Sequence, residues 1–193
     1  MSRVRFVRKK AMEYAARYLR RAVLNGLDVE ARLHLALAAN YAGIGFGNAG
    51  VHIPHAVAYP IAGLVRDYVP SGYRTRHPLV PHGMSVILTA PAAFRFTFAT
   101  SPERHLRAAE LLGAPVADLD ETEQREALPR ALLGLMRDIG IPNGLTAIGY
   151  TERDIPALID GTLRQPRLLS GAPRPVGAPE LELIIRDAMQ YWG

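Results

Sequence analysis

Residues 37–60 read LAANYAGIGFGNAGVHIPHAVAYP, an apolar and glycine-rich stretch that organises the interpretation of the whole chain. Its first part continues a segment, from about residue 29 to residue 41, whose apolar residues surround the helix axis almost completely. A helix of that kind belongs in the middle of a domain. Asp28 is the predicted N-cap of this helix, and Glu30 in its first turn complements the helix dipole.

The segment that precedes this helix is also predicted to be helical. Its apolar residues recur at spacings of three and four, which places them on one side of a helix; they are Met12, Ala15, Leu19, Ala22 and Val23. Asn25-Gly26 then supplies the turn chemistry that ends the helix. No alternation of apolar and polar residues is long enough to predict a sheet, so the sequence favours an all-α fold.

Glycines within the quoted stretch match the pattern G-x-G-x-x-G, with Gly45, Gly47 and Gly50 at its fixed positions. In dinucleotide-binding proteins this pattern follows a strand and brings backbone amides to a pyrophosphate. Here the preceding residues are predicted to be helical, and the nearest acidic residue at the expected distance, Asp67, lies in a segment of loop character. The pattern therefore favours close helix packing, through Gly43, Gly47 and Gly50, over nucleotide binding.

The amino-acid composition excludes several classes of function. The 193 residues contain no cysteine, which excludes disulfides, thiolate metal sites and a cysteine nucleophile, and fits a reducing, cytoplasmic compartment. No run of about 18 apolar residues occurs, so we expect no membrane span. Much of the formal net charge of +5 lies in residues 1–10, which we interpret as a basic, solvated N-terminal tail rather than a nucleic-acid-binding arm.

Four of the six histidines lie between residues 52 and 82. His52 and His55 share one face if their segment is helical, and Tyr59 continues that face. His82 follows Pro81, where a helix is predicted to begin. Imidazole nitrogens suit Fe(II) and Zn(II), although a catalytic ion usually takes at least three protein ligands. The sequence lacks the motifs of a serine hydrolase, a P-loop enzyme and a zincin.

Two segments resemble known signatures. Residues 37–60 closely resemble the signature segment of the iron-containing (group III) alcohol dehydrogenases, and residues 77–83, HPLVPHG, resemble their second signature. The tyrosine before Pro60 and the long insert between His55 and His82 look most like the hydroxyacid–oxoacid transhydrogenase branch. The resemblance covers nearly the whole chain from about residue 11, so residues 11–193 are predicted to form one helical, metal-binding domain.

The resemblance implies a fold and a site. Members of this family have an N-terminal α/β domain that binds a nicotinamide dinucleotide and an all-helical C-terminal domain, of dehydroquinate synthase-like fold, that holds a divalent metal. By resemblance, His55 and His82 are metal ligands, for Fe²⁺ first and Zn²⁺ as the alternative. Tyr59 stands where many relatives carry an active-site histidine outside the metal shell, and is the candidate catalytic residue. The candidate substrate-side residues, in the segment that lines the cleft, are Phe46, Asn48 and His52.

The chain also departs from the family pattern. In relatives an Asp and a His complete the metal shell, on a helix that opens with D-x-x-x-H, and no such spacing occurs near the start of this sequence. The α/β domain that would bind NAD(H) is absent as well. We therefore expect either a truncated reading frame or a separate chain that supplies the cofactor domain, with a homo-oligomer as a further arrangement and neither nucleic acid nor membrane as a partner.

The resemblance further implies hydride transfer between a nicotinamide and an alcohol or hydroxy acid, with substrates such as 4-hydroxybutyrate and 2-oxoglutarate. Carboxylate substrates need cationic partners, for which Arg66, Arg74 and Arg76 near the insert are candidates. An alternative from another class is a non-catalytic helical remnant or interaction module that binds metal weakly. The missing part of the metal shell and the apolar faces without a partner motivate that alternative.

Overall fold

A computed structural model gives the structure of residues 3–193, and every regular element in that range is a helix. The predicted all-α fold is confirmed. The α-helices are α1 (Arg3–Leu24), α2 (Val29–Ala49), α3 (Ile53–Gly63), α4 (His82–Ile87), α5 (Ala90–Thr97), α6 (Pro102–Leu111), α7 (Glu121–Asp138), α8 (Ile155–Leu163), α9 (Pro166–Leu169) and α10 (Ala178–Asp187). Short 3-10 helices span Phe98–Thr100, Thr146–Ile148 and Glu152–Asp154. None of the helices in residues 3–193 combines the length and the hydrophobicity that crossing a membrane requires.

The chain divides into two compact units. The first unit comprises the residues up to Gly50 together with Ser101–Gly140, and the second comprises Val51–Thr100 together with Ile141–Gly193. The predicted basic tail is helical from Arg3 onwards, while residues 1 and 2 and the side chains of residues 3–5 lie outside the described part of the chain. The division into a tail of residues 1–10 and a domain of residues 11–193 stays a prediction.

A hairpin of α1 and α2 forms most of the first unit. The turn at residues 25–28 ends α1 as predicted, and Asp28 caps α2 by accepting a hydrogen bond from the amide of Ala31 at 2.9 Å. Ala31, Ala38 and Gly45 are the buried residues of α2, and their spacing of seven lines one side of the helix. Small side chains along this line allow the two helices to approach closely.

The glycine-rich part of α2 corrects two predictions. The helix does not end near Tyr41 but continues to Ala49, where Gly50, with a φ of +72°, terminates it. Close packing occurs at Gly45, where an added Cβ would lie 2.8 Å from Cγ of Arg8. Within the described residues, Gly43, Gly47 and Gly50 have open space at that position, so the prediction that these three mediate close packing is wrong.

Helix α3 lies at the centre of the second unit. Seven of its eleven residues are buried, and it packs against α4, α5, α8 and α9. It approaches α8 closely, since a Cβ added to Gly161 would lie 2.6 Å from Cβ of Pro60. Near the C-terminal end of α3, the buried Tyr150 hydroxyl donates a hydrogen bond to the carbonyl oxygen of Ile61 at 2.6 Å. These contacts fix the position of α3 within its unit.

Candidate metal centre

The start of α3 positions His55. His52 is the N-cap of this helix, and Pro54, whose φ suits the first turn of a helix, follows two residues later. The amide of His55 donates to the carbonyl oxygen of His52 at 2.9 Å, which closes the first turn. Because the segment is helical, His55 and Tyr59 are four residues apart on one face of α3.

The start of α4 positions His82. Pro81 is the N-cap, so the helix begins one residue later than the sequence predicts. The hydroxyl of the fully buried Ser85 donates to the carbonyl oxygen of His82 at 2.8 Å and anchors this first turn. Since α4 packs against α3, the two helix starts bring the two predicted ligands together within the second unit.

The rings of His55 and His82 form a pair. Their centroids are 5.6 Å apart, and their planes are inclined at 61°. A metal–nitrogen bond is about 2.1 Å long, so rings at this separation are within reach of a single ion. The residue spacing in the sequence, 27 positions apart along an irregular insert, gives no such proximity by itself.

Partial burial favours the neutral form of the His55 imidazole, which is the form that can bind a metal. Its imidazole is half-buried, and burial lowers its pKa below the ordinary value, with a further lowering from the neighbouring His82. A lowered pKa keeps the ring neutral at physiological pH, and a neutral imidazole offers a nitrogen lone pair to a metal. The chemistry of this donor pair therefore fits a borderline divalent ion such as Fe²⁺ or Zn²⁺.

The pair is part of a shell rather than a complete one. Among the residues that the structure describes, no group of three or more His, Cys, Asp or Glu side chains is arranged to hold an ion. A catalytic ion usually takes three protein ligands. His55 and His82 thus supply two candidate ligands within the described residues.

Tyr59 lies one turn beyond His55 and is 53% exposed. It lines a cavity of about 460 Å³ between α3 and α8, a volume within the range of small-molecule sites. The cavity wall on the α3 side continues with Pro60, Gly63 and Leu64. The candidate catalytic hydroxyl thus stands on an open cavity in the same unit as the histidine pair.

The three predicted substrate-side residues divide between the two units. Phe46 and Asn48 lie on the last turns of α2 in the first unit, where Phe46 is 53% exposed and the Asn48 side-chain amide donates to the carbonyl oxygen of Ile44 at 2.8 Å. His52 lies in the second unit with its ring edge-on to Phe94, at a centroid distance of 6.2 Å. The structure thus places His52 in the same unit as His55 and His82, and the roles of all three substrate-side candidates stay predictions.

Arg66 already has a carboxylate partner inside the second unit. Its two terminal nitrogens donate to the carboxylate oxygens of Asp154 at 2.7 and 3.1 Å, and one also donates to the carbonyl oxygen of Gly149 at 2.7 Å. The guanidinium, with the amide and hydroxyl of Thr151, holds the pKa of Asp154 well below its ordinary value. Arg66 therefore links the segment after α3 to the segment before α8, and its guanidinium is already occupied by a carboxylate of the chain.

A cation that sequence reasoning missed lines the cavity instead. Arg164 caps the C-terminal end of α8 and borders the cavity opposite Tyr59. Nothing in the sequence distinguishes it from the other arginines, because its position depends on the packing of α8 against α3. Asp160, one turn earlier on the same helix, also lines the cavity.

Comparison with known proteins identifies relatives over nearly the whole chain. Residues 6–189 match the description "Fe-containing alcohol dehydrogenase family, C-terminal". Mitochondrial hydroxyacid-oxoacid transhydrogenases from Pongo abelii and Xenopus tropicalis are each 47% identical, over 94% and 95% of this chain. The matched region spans 39% and 40% of those relatives, so the chain covers about two fifths of their length. Because the relatives are named as mitochondrial, the cytoplasmic location stays a prediction.

The solved structures with the same fold are also longer than this chain. A 1,3-propanediol oxidoreductase superimposes with a TM-score of 0.83 and 29% identity, covering 96% of this chain and 45% of that one. Sulfoacetaldehyde reductase from Bifidobacterium kashiwanohense, solved in complex with NAD⁺, superimposes with a TM-score of 0.77 over the whole of this chain and 45% of its own. At 21% identity, the second match shows the fold alone.

Proposed function

Because the chain belongs to the iron-containing alcohol dehydrogenase family, as its C-terminal domain, we propose that it supplies the metal-binding half of an oxidoreductase. The reaction is hydride transfer between a nicotinamide cofactor and an alcohol or hydroxy acid. The observation that carries the proposal is the pairing of His55 with His82, 5.6 Å apart on the first turns of two packed helices.

The residues of this chain that would hold the metal are His55 and His82, each through one imidazole nitrogen. An Asp and a His from a preceding segment would complete the shell, as the family resemblance implies. When bound, Fe²⁺, or Zn²⁺ as the alternative, acts as a Lewis acid that lowers the pKa of a substrate alcohol. The buried residues of α3 fix the position of His55, and the hydrogen bond from the buried Ser85 to the carbonyl oxygen of His82 fixes the first turn of α4.

Tyr59 is the residue we assign to proton handling. Its phenol is a donor and an acceptor, it is accessible from the cavity, and it stands one helical turn from His55. A hydroxyl in this place can relay the proton that leaves a substrate alcohol: its oxygen accepts that proton while its own proton passes to water in the cavity. In the reverse direction the hydroxyl donates its proton to the substrate oxygen and takes one from water.

The nicotinamide cofactor binds elsewhere. Residues 29–49 form a helix, so the glycines at 45, 47 and 50 have no strand before them to build a dinucleotide site. We propose that an α/β domain, joined to this chain or supplied by a second chain, binds NAD(H). The relatives named hydroxyacid-oxoacid transhydrogenase make a small hydroxy acid the preferred substrate class. A homo-oligomer stays a prediction.

Reconstitution tests the proposal. The chain is combined, by fusion and by co-expression, with the N-terminal portion of a transhydrogenase relative, and hydride transfer to 2-oxoglutarate is measured after Fe²⁺ loading. His55→Ala and His82→Ala should each reduce the rate by more than roughly 100-fold, because even the outer-shell partners of metal ligands contribute 10–100-fold. His77→Ala, on the exposed insert, is the matched control and should keep the rate.

The histidine assignment fails if both alanine variants keep the rate of the reconstituted protein. The non-catalytic alternative rests on a specific surface, since several large apolar side chains of α2 are exposed: Val29, Leu33, Leu37, Ile44 and Phe46. Metal analysis separates the two functions. Stoichiometric metal in the reconstituted protein, lost in both variants, supports the enzyme, whereas substoichiometric metal with no hydride transfer supports an interaction module.

A further inference from the structure

We infer that Arg164 binds the carboxylate of an acidic substrate in the cavity between α3 and α8, and so selects hydroxy acids over uncharged alcohols. The inference rests on the proposed function, because it assigns the substrate class of the same site. It starts from the cavity shared by Tyr59 and Arg164.

The cavity is built by a fixed contact between two helices. Gly161 of α8 approaches Pro60 of α3 so closely that an added Cβ would lie 2.6 Å from the proline Cβ. Neither side of this contact can give easily, because a proline ring is rigid and the glycine backbone belongs to a helix. The two walls of the cavity therefore keep their separation, and a space of about 460 Å³ remains beside the contact.

Arg164 is the cation of this cavity. It is exposed at the C-terminal end of α8, where a positive charge complements the helix dipole. Within residues 3–193, Arg66 and Arg186 each have carboxylate partners, whereas the guanidinium of Arg164 forms no ion pair in that range. An arginine without an internal partner offers its whole planar fork to a carboxylate, in the bidentate geometry that lysine cannot provide.

Tyr59 connects the cation to the proposed reaction. It lines the cavity, and it lies roughly 6 Å along the axis of α3 from His55, since four residues of helix rise by that amount. Leu64 and Ala157 give the cavity apolar walls suited to a short carbon chain. A substrate with its carboxylate at Arg164 thus has room to extend its other end towards Tyr59, which lines the same cavity.

Asp160 acts against anion binding in the same cavity. Its carboxylate lines the wall one helical turn before Arg164, and like Arg164 it has no ion pair within the described part of the chain. A negative charge there repels a bound carboxylate and competes for the guanidinium. The inference therefore predicts opposite effects from the two neighbouring substitutions, and comparison with an arginine outside the cavity separates these effects from nonspecific electrostatic attraction.

Binding to the 193-residue chain tests the assignment. NMR titrations at low ionic strength compare 4-hydroxybutyrate with 1,4-butanediol, a probe of the same length without the carboxylate. Arg164→Met should weaken binding of the acid at least tenfold and leave the diol unchanged, while Arg164→Lys should fall between. Asp160→Asn should tighten binding of the acid. Arg167→Met, an exposed arginine outside the cavity lining, is the matched control and should match the unsubstituted chain.

The outcomes separate the inference from the function on which it rests. Equal losses from Arg164→Met and Arg167→Met, equal losses for acid and diol, or no saturable binding of the acid would each overturn the role of Arg164. In the reconstituted protein, the ratio of kcat/KM for acid over diol should fall at least tenfold in Arg164→Met. If the reconstituted protein transfers hydride but Arg164→Met leaves the acid-to-diol ratio unchanged, the role of Arg164 is wrong and the proposed function stands. If acid binding depends on Arg164 but no hydride is transferred, the proposed function is wrong and the role of Arg164 stands.

Discussion

Two helices drawn from one apolar stretch have opposite environments. Residues 37–49 complete α2, in which three of 21 residues are buried, and residues 53–60 open α3, in which seven of eleven are buried. Both segments are rich in alanine and aliphatic side chains. Composition alone therefore does not decide burial, which depends on how many neighbours the rest of the chain places around each helix.

The difference matters for the candidate site. A helix held on most sides keeps its remaining face in a fixed position, and His55 and Tyr59 lie on that face of α3. Helix α2 has the opposite character, with a line of small buried residues towards α1 and large apolar side chains exposed elsewhere. We interpret α3 as the rigid support of the site. The exposed apolar side chains of α2 do not contribute to the core of its own unit.

The largest expected effect contrasts a side chain from each helix. Ile61 of α3 is fully buried, so Ile61→Ala removes packed atoms and leaves a cavity, which costs roughly 2–5 kcal/mol of unfolding free energy. Leu33 of α2 is 58% exposed, and Leu33→Ala should change stability by less than about 0.5 kcal/mol. Urea unfolding of both variants measures the difference. Similar losses from the two would contradict the contrast between the helices.

A second pair of substitutions adds a methyl group instead of removing atoms. In Gly161→Ala the new Cβ would meet Pro60 at 2.6 Å, and overpacking at such a contact costs about 1–3 kcal/mol. Gly43→Ala in α2 has open space and should stabilise the helix by up to about 1 kcal/mol.

Thermal unfolding gives the sign of each effect. Stabilisation by both alanines would mean that α3 and α8 can separate, and would remove the rigid wall on which the cavity at Arg164 depends. Gly63→Ala, on α3 and beside the same cavity but with open space at its Cβ position, separates the Gly161–Pro60 contact from a general intolerance of added methyl groups around the cavity.

The sequence correctly predicted those features of the helices that depend only on neighbouring residues. The turn at Asn25-Gly26 and the cap at Asp28 depend on neighbouring residues, and both are present. The predicted end of α2 near Tyr41 was wrong. The glycines after Tyr41 lower helix propensity, but they do not prevent a helix that the packing of Gly45 against Arg8 supports. Family and fold came from the resemblance of residues 37–60 and 77–83 and are confirmed.

Residue spacing and local patterns did not predict long-range partners; the resemblance alone grouped His55 with His82. Arg66 and Arg164 look alike in the chain, yet one pairs with a carboxylate 88 residues away and the other borders a cavity. The approach of His55 to His82 likewise depends on the packing of α3 on α4, which no spacing encodes. Sequence patterns give helices and caps, whereas the pairing of charges follows from tertiary contacts.

The smallest expected effect concerns Arg66, the paired arginine of the second unit. Hydrogen bonds from Arg66 and Thr151 depress the pKa of Asp154 below its ordinary value of 3.8, so the charged form is favoured in the folded chain. A depressed pKa contributes stability above pH 3.8, and this contribution is lost as the pH falls below it towards the folded value. Because Arg66 is 52% exposed, solvent screening limits the contribution to about 1 kcal/mol or less.

Asp154→Asn should therefore be less stable than the unsubstituted chain at pH 7, and the two should converge below pH 3.8. Denaturant unfolding at several pH values measures the gap, with Asp160→Asn as the control because its carboxylate has no ion pair within residues 3–193. A gap that persists unchanged into acid would mean that the carboxylate charge is not what anchors the end of α3. If the stability difference disappears in acid, the Arg66–Asp154 ion pair stabilises the segment after α3. The buried residues of α3 would then be held by packing, and the segment that follows the helix by charge.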